Sequence, residues 1–225
     1  MADLVCAALP QRPWLFQTLT AFGLCVLLWS FLGAADQAVW AFELLPLTVL
    51  LLVFAVRRRQ FCFSDLAYVL LTIFLVIQCL GGRYTFEHVP LPDELLEWFG
   101  FKRNPADRIG HFFQGVVPAI VLREWLIRRR NLPASRTLFW LVTGCCLAFS
   151  ASYELLEMAV VLLFYPQEGA GWLGMQGDPF DAQWDMAMAL SGAILAQLLL
   201  SRWHDRSIAR AVFGGGEKTS SITAP

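Results

Sequence analysis

The stretch PADRIGHFFQGVVPAIVLRE, residues 105–124, decides how the rest of the chain is read. It has the character of a membrane-spanning helix, yet its first half carries Asp107, Arg108, His111 and Gln114. Asp107, His111 and Gln114 are spaced i, i+4 and i+7, so on a helix they share one face. Charged groups in or near hydrocarbon are expensive, and they turn toward a bundle interior or a wet cavity.

Working outward, the whole chain fits this setting. Its 225 residues are 57% hydrophobic and only 16% charged, where a soluble domain carries about 25% charged residues. The formal net charge of −1 excludes the basic field that nucleic acid would require. Cys6, Cys25, Cys62, Cys79, Cys145 and Cys146 show no CxxC or Cys/His spacing, and most lie in apolar runs. They are expected to be small apolar fillers, the Cys145-Cys146 pair included.

Six runs are long enough to span a bilayer at ~20 residues each: about 14–32, 38–56, 64–80, 106–127, 137–165 and 181–200. The expected fold is all-α, a six-transmembrane-helix bundle over residues 14–201. A polar entry occupies residues 1–13 and a tail, disordered in composition toward its end, occupies 202–225. The first run exceeds a signal-peptide core and has only Arg12 before it, so it is expected to be retained. Ser64-Asp65 looks like the start of the third helix, and Gly81-Gly82 is expected to break it. Between the third and fourth spans, Pro92-Asp93-Glu94 followed by LLEWFGF suggests a short interfacial helix. Leu95, Leu96, Trp98, Phe99 and Phe101 would be its apolar residues.

Lys and Arg set the orientation. Thirteen of the 17 fall on one side: Arg12, Arg57 to Arg59, Arg123, Arg128 to Arg130, Arg136, Arg202, Arg206, Arg210 and Lys218. Only Arg83, Lys102, Arg103 and Arg108 fall on the other. Six spans with both termini cytoplasmic satisfy the positive-inside rule at every loop. The Arg57–Arg59 and Arg128–Arg130 triplets are then topology signals.

This topology brings the polar residues together. Asp107 and His111 open the fourth span, and Glu154 and Glu157 lie in the outer half of the fifth. Asp181 and Asp185 open the sixth, and Arg83, Tyr84, Glu87 and His88 leave the third on the same side. Six carboxylates, Asp178 among them, cannot coexist at low dielectric without protons, Arg partners or a metal. Arg83 and Arg108 are the expected internal cations. A divalent ion (Mg²⁺, Mn²⁺ or Zn²⁺) held by Asp107, Asp178, Asp181 and Asp185 is the other solution.

Each residue also has a plainer reading. Asp107 and Asp181 stand where they would complement a helix dipole. Gln176 to Pro179 is turn chemistry. His111 could serve as a structural hydrogen-bonding group, and Glu43 looks isolated, with an interior hydrogen bond as its expected role. Glu154 and Glu157, an i, i+3 carboxylate pair at membrane depth, are the hardest to read as structure alone.

The segments ADRIGHFFQGVVPAIVLRE (106–124), SYELLEMA (152–159), LGMQGDPFDAQWDMAMALSGA (173–193), LSRWHDR (200–206) and RYTFEHVPL (83–91) resemble the YjdF-type family of bacterial inner-membrane proteins. The resemblance covers most of the chain from residue 60 onward and leaves the first span largely aside. It implies a polytopic inner-membrane protein and brings no established reaction with it. The Asp107-x-x-x-His111 helix start, the acidic pair of the next helix, and Asp185 with Gly192 are also similar to VanZ-like membrane proteins. The richer acidic set and the QGDPFDAQWD loop depart from that pattern.

The functional expectation is a membrane-embedded enzyme acting on a lipid, polyprenyl-phosphate or envelope headgroup at the external face. His111, Glu154 or Glu157 would be the general base. Arg83, Tyr84, Arg108, Gln114, Gln176 and Gln183 would bind the substrate. GxSxG, HExxH and Walker motifs are all missing from the sequence. A small proton- or ion-coupled transporter and a structural or assembly role are the alternatives. Membrane lipids are the expected partners, and nucleic acid is not.

Overall fold

In lipid a single segment satisfies all its backbone N–H and C=O groups only as a helix, and the apolar runs of this chain do so. The computed structural model describes residues 12–58, 60–100, 102–164 and 175–213, without the side chains of Leu95, Phe99, Met175 and Phe213. Expectations for the entry before Arg12, Arg59, Phe101, the loop at 165–174 and the end of the tail at 214–225 lie outside these residues. So do those for the side chains of Leu95 and Phe99.

The elements are α1 (Pro13–Leu32), α2 (Gln37–Arg57), α3 (Asp65–Tyr84), the short α4 (Asp93–Phe99), α5 (Ala106–Arg130), α6 (Arg136–Phe164), a 3₁₀ turn (Met175–Gly177) and α7 (Asp181–Phe213). Every regular element among the described residues is helical. Five of them, α1, α2, α3, α6 and α7, are long and apolar enough to cross a membrane. α5 has the length, at 25 residues, but its charged ends set it apart in composition.

Local signals account for the boundaries. Pro13 opens α1, where its missing N–H costs nothing. The Asp36 carboxylate accepts from the N–H groups of Ala38 and Val39 and caps α2. Asn104 accepts from the Ala106 N–H at 3.0 Å and starts α5. Asn131, in the left-handed region, ends it.

Two boundaries differ from expectation. Gly81 and Gly82 do not end α3, which runs on to Tyr84. They are small because Phe86 packs against Gly81 and Leu44 against Gly82. α7 continues past Leu200 to Phe213, because nothing in SRWHDRSIARAVF breaks a helix and because His204 and Ile208 are buried against the bundle.

Lipid tails are as apolar as leucine, so close packing rather than water exclusion holds such helices together. The most extensive contact is between α5 and α7. There Gly115 lies against the Ala189 backbone, and Gly192 against the backbone of Phe112 and Val116. α6 packs on both, α3 leans on α5, and α1 and α2 lean on α3. Leu71, Phe74, Val117, Ile120, Val142 and Cys146 form the centre of the core. Among the described residues no two cysteines are joined by a disulfide.

The tryptophans mark two levels. Trp14, Trp125, Trp140 and Trp203 lie toward one end of the bundle, and Trp29, Trp40, Trp98 and Trp184 toward the other. Along α1, Trp14 and Trp29 are about 22 Å apart at 1.5 Å per residue. Tryptophan at both ends of the helices is the pattern of interfacial aromatic belts.

The end of α5 carries a buried network that charge counting alone did not suggest. Glu124, fully buried, accepts from the Ser64 N–H (2.8 Å), the Ser64 hydroxyl (2.7 Å) and Arg128 (2.5 Å). His204 Nε2 lies 3.2 Å from its other oxygen, and Arg123 reaches both His204 Nδ1 and Asp205. Arg128 also donates to the Cys62 carbonyl at 2.7 Å. Arg128 is thus a bundle tie as well as a member of a basic triplet. Ser64, expected to cap α3, spends its hydroxyl on Glu124 instead.

Overpacking costs ~1–3 kcal/mol where side chains can yield, but backbone cannot yield in this way. Gly115→Leu and Gly192→Leu are therefore expected to lower the thermal unfolding midpoint by about 5 °C or more. Gly144→Leu, whose added carbon would meet nothing within 4 Å, should leave it unchanged. Size-exclusion chromatography after a temperature ramp reads all three.

Candidate functional site

Because α5 turns 3.6 residues at a time, Asp107, Gly110, His111 and Gln114 form one stripe, and that stripe faces inward. α7 presents Asp181, Gln183 and Asp185 to it, and α6 presents Tyr153, Glu154 and Glu157. α2 adds Glu43 and α3 adds Gln78. Together with Phe86 these groups line a cavity of about 390 Å³, within the range of small-molecule sites.

His111 stands between two carboxylates. Its Nε2 lies 3.6 Å from Asp107 Oδ1 and its Nδ1 lies 3.6 Å from Glu154 Oε1. Both separations exceed a hydrogen bond. Tyr153 packs edge-on against the His111 ring at 6.3 Å between centroids, and its hydroxyl donates to Glu43 at 2.9 Å. Several buried polar atoms facing the cavity have no partner: His111 Nδ1, Gln114 Oε1, Glu154 Oε1 and Asp185 Oδ1. Asp107, Gln114 and Asp185 are each more than nine-tenths buried. Buried polar groups are almost always satisfied in folded proteins, so four unsatisfied ones around one cavity single it out as the candidate site.

The rim of the cavity is organised by Arg103. Its guanidinium donates to Asp181 at 2.6 Å and lies 3.5 Å from Asp178 and 3.6 Å from Asp107. Burial disfavours the Arg103 cation, but its hydrogen bond to Asp181 and the surrounding carboxylates outweigh that cost and hold the group above its ordinary pKa. Arg108 pairs with Asp178 at 2.6 Å and lies over the Trp184 ring. Gln176 Oε1 accepts from the Asn104 N–H at 2.7 Å, and its amide donates to the Asn104 carbonyl at 3.1 Å. Glu87 accepts from the Gln176 N–H. These bonds stitch the loop before α5 to the turn before α7.

The structure thus brings together His111, Glu154, Glu157, Gln114, Gln183, Asp107, Asp181 and Asp185. It places five other candidates elsewhere. Arg83 donates to the Trp29 carbonyl at 2.7 Å and stacks on Trp29, serving the end of α1. Tyr84 packs edge-on against Trp29. Arg108 and Asp178 occupy each other, and Gln176 is held in the loop stitch. None of the five lines the cavity.

Glu43, Tyr153 and Arg103 also belong to the site: Glu43 makes the interior hydrogen bond expected of it, with Tyr153, but is not isolated, and Tyr153 and Arg103 were not among the expected site residues. Glu43 carried a signal, since an intramembrane carboxylate is a functional pointer by default. It lies six residues into α2, at a helical rise of about 9 Å, close to the depth of His111 in α5. Arg103 stands four residues before Asp107, the spacing of a salt bridge on a continuous helix. Pro105 between them hid that relation.

Apolar helices around an internal, ionisable cavity define a polytopic helical membrane protein with a buried polar site. The chain belongs to the family described as Predicted membrane protein (DUF2238), which matches residues 15–206. It is 36% identical over 199 residues to inner membrane protein YjdF of Escherichia coli (strain K12), a match covering 88% of this chain and 95% of that one. The match and the apolar helices make the chain a multi-pass protein of the bacterial inner membrane. No solved structure matches. The family resemblance read from the motifs is therefore correct, and it extends through α1, which had seemed to carry little of it.

Removing one partner of a buried ion pair costs about 3–5 kcal/mol, because the other charge is stranded. Arg103→Gln is accordingly expected to lower the unfolding temperature, and adding Asp181→Asn to recover part of the loss. A double-mutant cycle on thermal unfolding measures the coupling, and purely additive effects would refute the pairing.

Proposed function

We propose that this protein is a membrane-embedded enzyme acting on a lipid-linked or polyprenyl-phosphate headgroup in the outer leaflet of the inner membrane. In this reading α1, α2, α3, α5, α6 and α7 all span, both termini are cytoplasmic, and the cavity opens externally. The distribution of Lys and Arg and the two tryptophan levels support that topology. A membrane-impermeant maleimide applied to spheroplasts should label Trp98→Cys and spare Arg129→Cys, each in a background without native cysteines. The reverse pattern would invert the orientation.

The observation that carries the functional reading is the asymmetry of the bundle. One end holds a cavity of about 390 Å³ with unpartnered polar groups. Beyond it α5, α6 and α7 are joined by apolar packing and, near the far end, by the Glu124–Arg128–Ser64–His204 network, and a second cavity of about 280 Å³ between α1, α2 and α3 is lined mainly by apolar side chains and carries no carboxylate. A carrier needs access from both sides, whereas an enzyme for a leaflet-bound headgroup needs it from one. Internal braces are normally hydrogen-bonded throughout, and this cavity is not. Glu157, with Glu154 one turn away on α6, is the group assigned to take a proton from an attacking water or hydroxyl.

The test is incubation of the full-length protein in nanodiscs with inner-membrane phospholipids and polyprenyl phosphates, with mass spectrometry of released or transferred headgroups. Turnover is expected, and Glu157→Gln should reduce it on the order of 10²-fold or more. A second reading, a small proton-coupled carrier, draws on the proximity of Glu43, Tyr153, His111 and the Glu154/Glu157 pair. Proteoliposome proton flux abolished by Glu157→Gln, with no headgroup chemistry, would replace the enzyme by that carrier.

A further inference from the structure

Six carboxylates line or edge the cavity: Glu43, Asp107, Glu154, Glu157, Asp181 and Asp185. Such a space repels a phosphate unless something positive stands inside it. At the rim the positive charge is Arg103. In the interior, between α5 and α7, Asp185 Oδ1 is buried and has no hydrogen-bond donor among the described residues.

We propose that Asp107, His111 and Asp185 form a binding site for one divalent first-row ion, of the Mn²⁺ or Zn²⁺ type. The proposal rests on the headgroup reading above and deepens it. The ion would be the positive centre that lets an acidic cavity accept an anionic headgroup.

Geometry is the first support. Each of the three residues offers one ligand atom, and the three atoms lie within 4.8 Å of one another. The Asp107 Oδ1–His111 Nε2 distance of 3.6 Å is too long for a hydrogen bond. Two donors each ~2.0–2.2 Å from a common ion stand roughly 3–3.6 Å apart at tetrahedral or octahedral angles. The pair is therefore already spaced as ligands of one ion, and only Asp185 has to close in slightly.

The frame behind the ligands is the second support. Gly115 follows His111 by four residues on α5, and Ala189 follows Asp185 by four residues on α7. The backbone contact between Gly115 and Ala189 thus lies one helical turn beyond both ligands and holds them at a set separation. A ligand pair carried on two helices locked this closely loses little freedom on binding.

The third support is the surrounding shell. His111 Nδ1 faces Glu154 Oε1 at 3.6 Å, so a slight approach of this carboxylate would supply the hydrogen bond that fixes the tautomer of a metal-binding imidazole, with Nε2 toward the ion. Gln114 Oε1, buried and unpartnered, comes from the next turn of α5. Asp181 and Asp178, by contrast, are engaged by Arg103 and Arg108, which separates the anion-paired rim from the ligand set. A two-carboxylate, one-imidazole set suits Mn²⁺, Fe²⁺ and Zn²⁺ better than Ca²⁺. It leaves coordination positions for water and a phosphate oxygen.

The experiment uses full-length protein in detergent, stripped with EDTA and titrated with Mn²⁺ by electron paramagnetic resonance. Metal content is measured in parallel after equilibration with Zn²⁺, Mn²⁺ or Mg²⁺. The wild type should retain close to one ion per chain. His111→Gln and Asp185→Asn should each weaken binding roughly 100-fold or more, and Glu157→Gln should bind as the wild type does. Unfolding temperatures check that the variants are intact. If either fails to fold, X-ray absorption of the Zn²⁺-loaded wild type decides, since the site requires oxygen ligands with one imidazole and no sulfur.

No ion bound, or binding unchanged in both ligand variants, overturns the proposal. So does saturable capture of ethanolamine, a cationic headgroup fragment, by a protein that takes up no metal. Metal binding without headgroup turnover leaves this site standing and removes the enzyme reading. Turnover undiminished in EDTA-stripped protein does the opposite.

Discussion

Two helix backbones touch where Gly115 of α5 meets Ala189 of α7, and again where Gly192 of α7 meets Phe112 and Val116 of α5. Close approach of this kind is the main source of helix association in lipid, where apolar side chains gain nothing by leaving one hydrocarbon for another. Here it also sets the spacing of the site. One turn from the contact, His111 and Asp185 offer ligand atoms within 4.8 Å of each other. Larger residues at 115 or 192 would act on the bundle and on the cavity together.

Charge in the bundle is handled in two ways. Near the end of α5, Glu124 sits among Arg128, His204 and two groups of Ser64, and its lone pairs are spoken for. At the cavity, Arg103 and Arg108 satisfy Asp181 and Asp178, while Asp185, Gln114, Glu154 and His111 keep atoms without partners. Buried ionic groups tolerate the first arrangement as structure. The second is stable only through protons, an ion or a bound molecule. The contrast within one chain makes the cavity distinctive, since the same helices show what full satisfaction looks like.

Much of this was legible in the residues. The i, i+4, i+7 stripe of Asp107, His111 and Gln114 survived intact, because helical periodicity is a local property. Adding the helical rise to an alternating topology was enough to predict that Glu154, Glu157, Asp181 and Asp185 would meet that stripe. The same arithmetic would have admitted Glu43. What failed was partner assignment. Arg83 and Arg108 were the expected interior cations, yet Arg83 reaches back to Trp29 of α1 and Arg108 is taken by Asp178. Arg103, hidden behind Pro105, holds the position. Gln176, in a left-handed turn, proved to be a loop stitch with Asn104.

The sequence by itself determined that this is a helical membrane protein, where its helices run and which faces carry polar groups. Those properties follow from run length, 3.6-residue periodicity and capping residues, all read within a few turns. Only the tertiary structure decided which carboxylates pair with arginine and which keep atoms without a partner. The Arg103–Asp181 bond joins residues 78 positions apart and depends on a separation of 2.6 Å. Spacing along a chain gives depth and face to within a turn, about 5 Å. Ion pairing and coordination are settled within about 1 Å, a distance set by how two helix backbones pack and by nothing either helix carries alone.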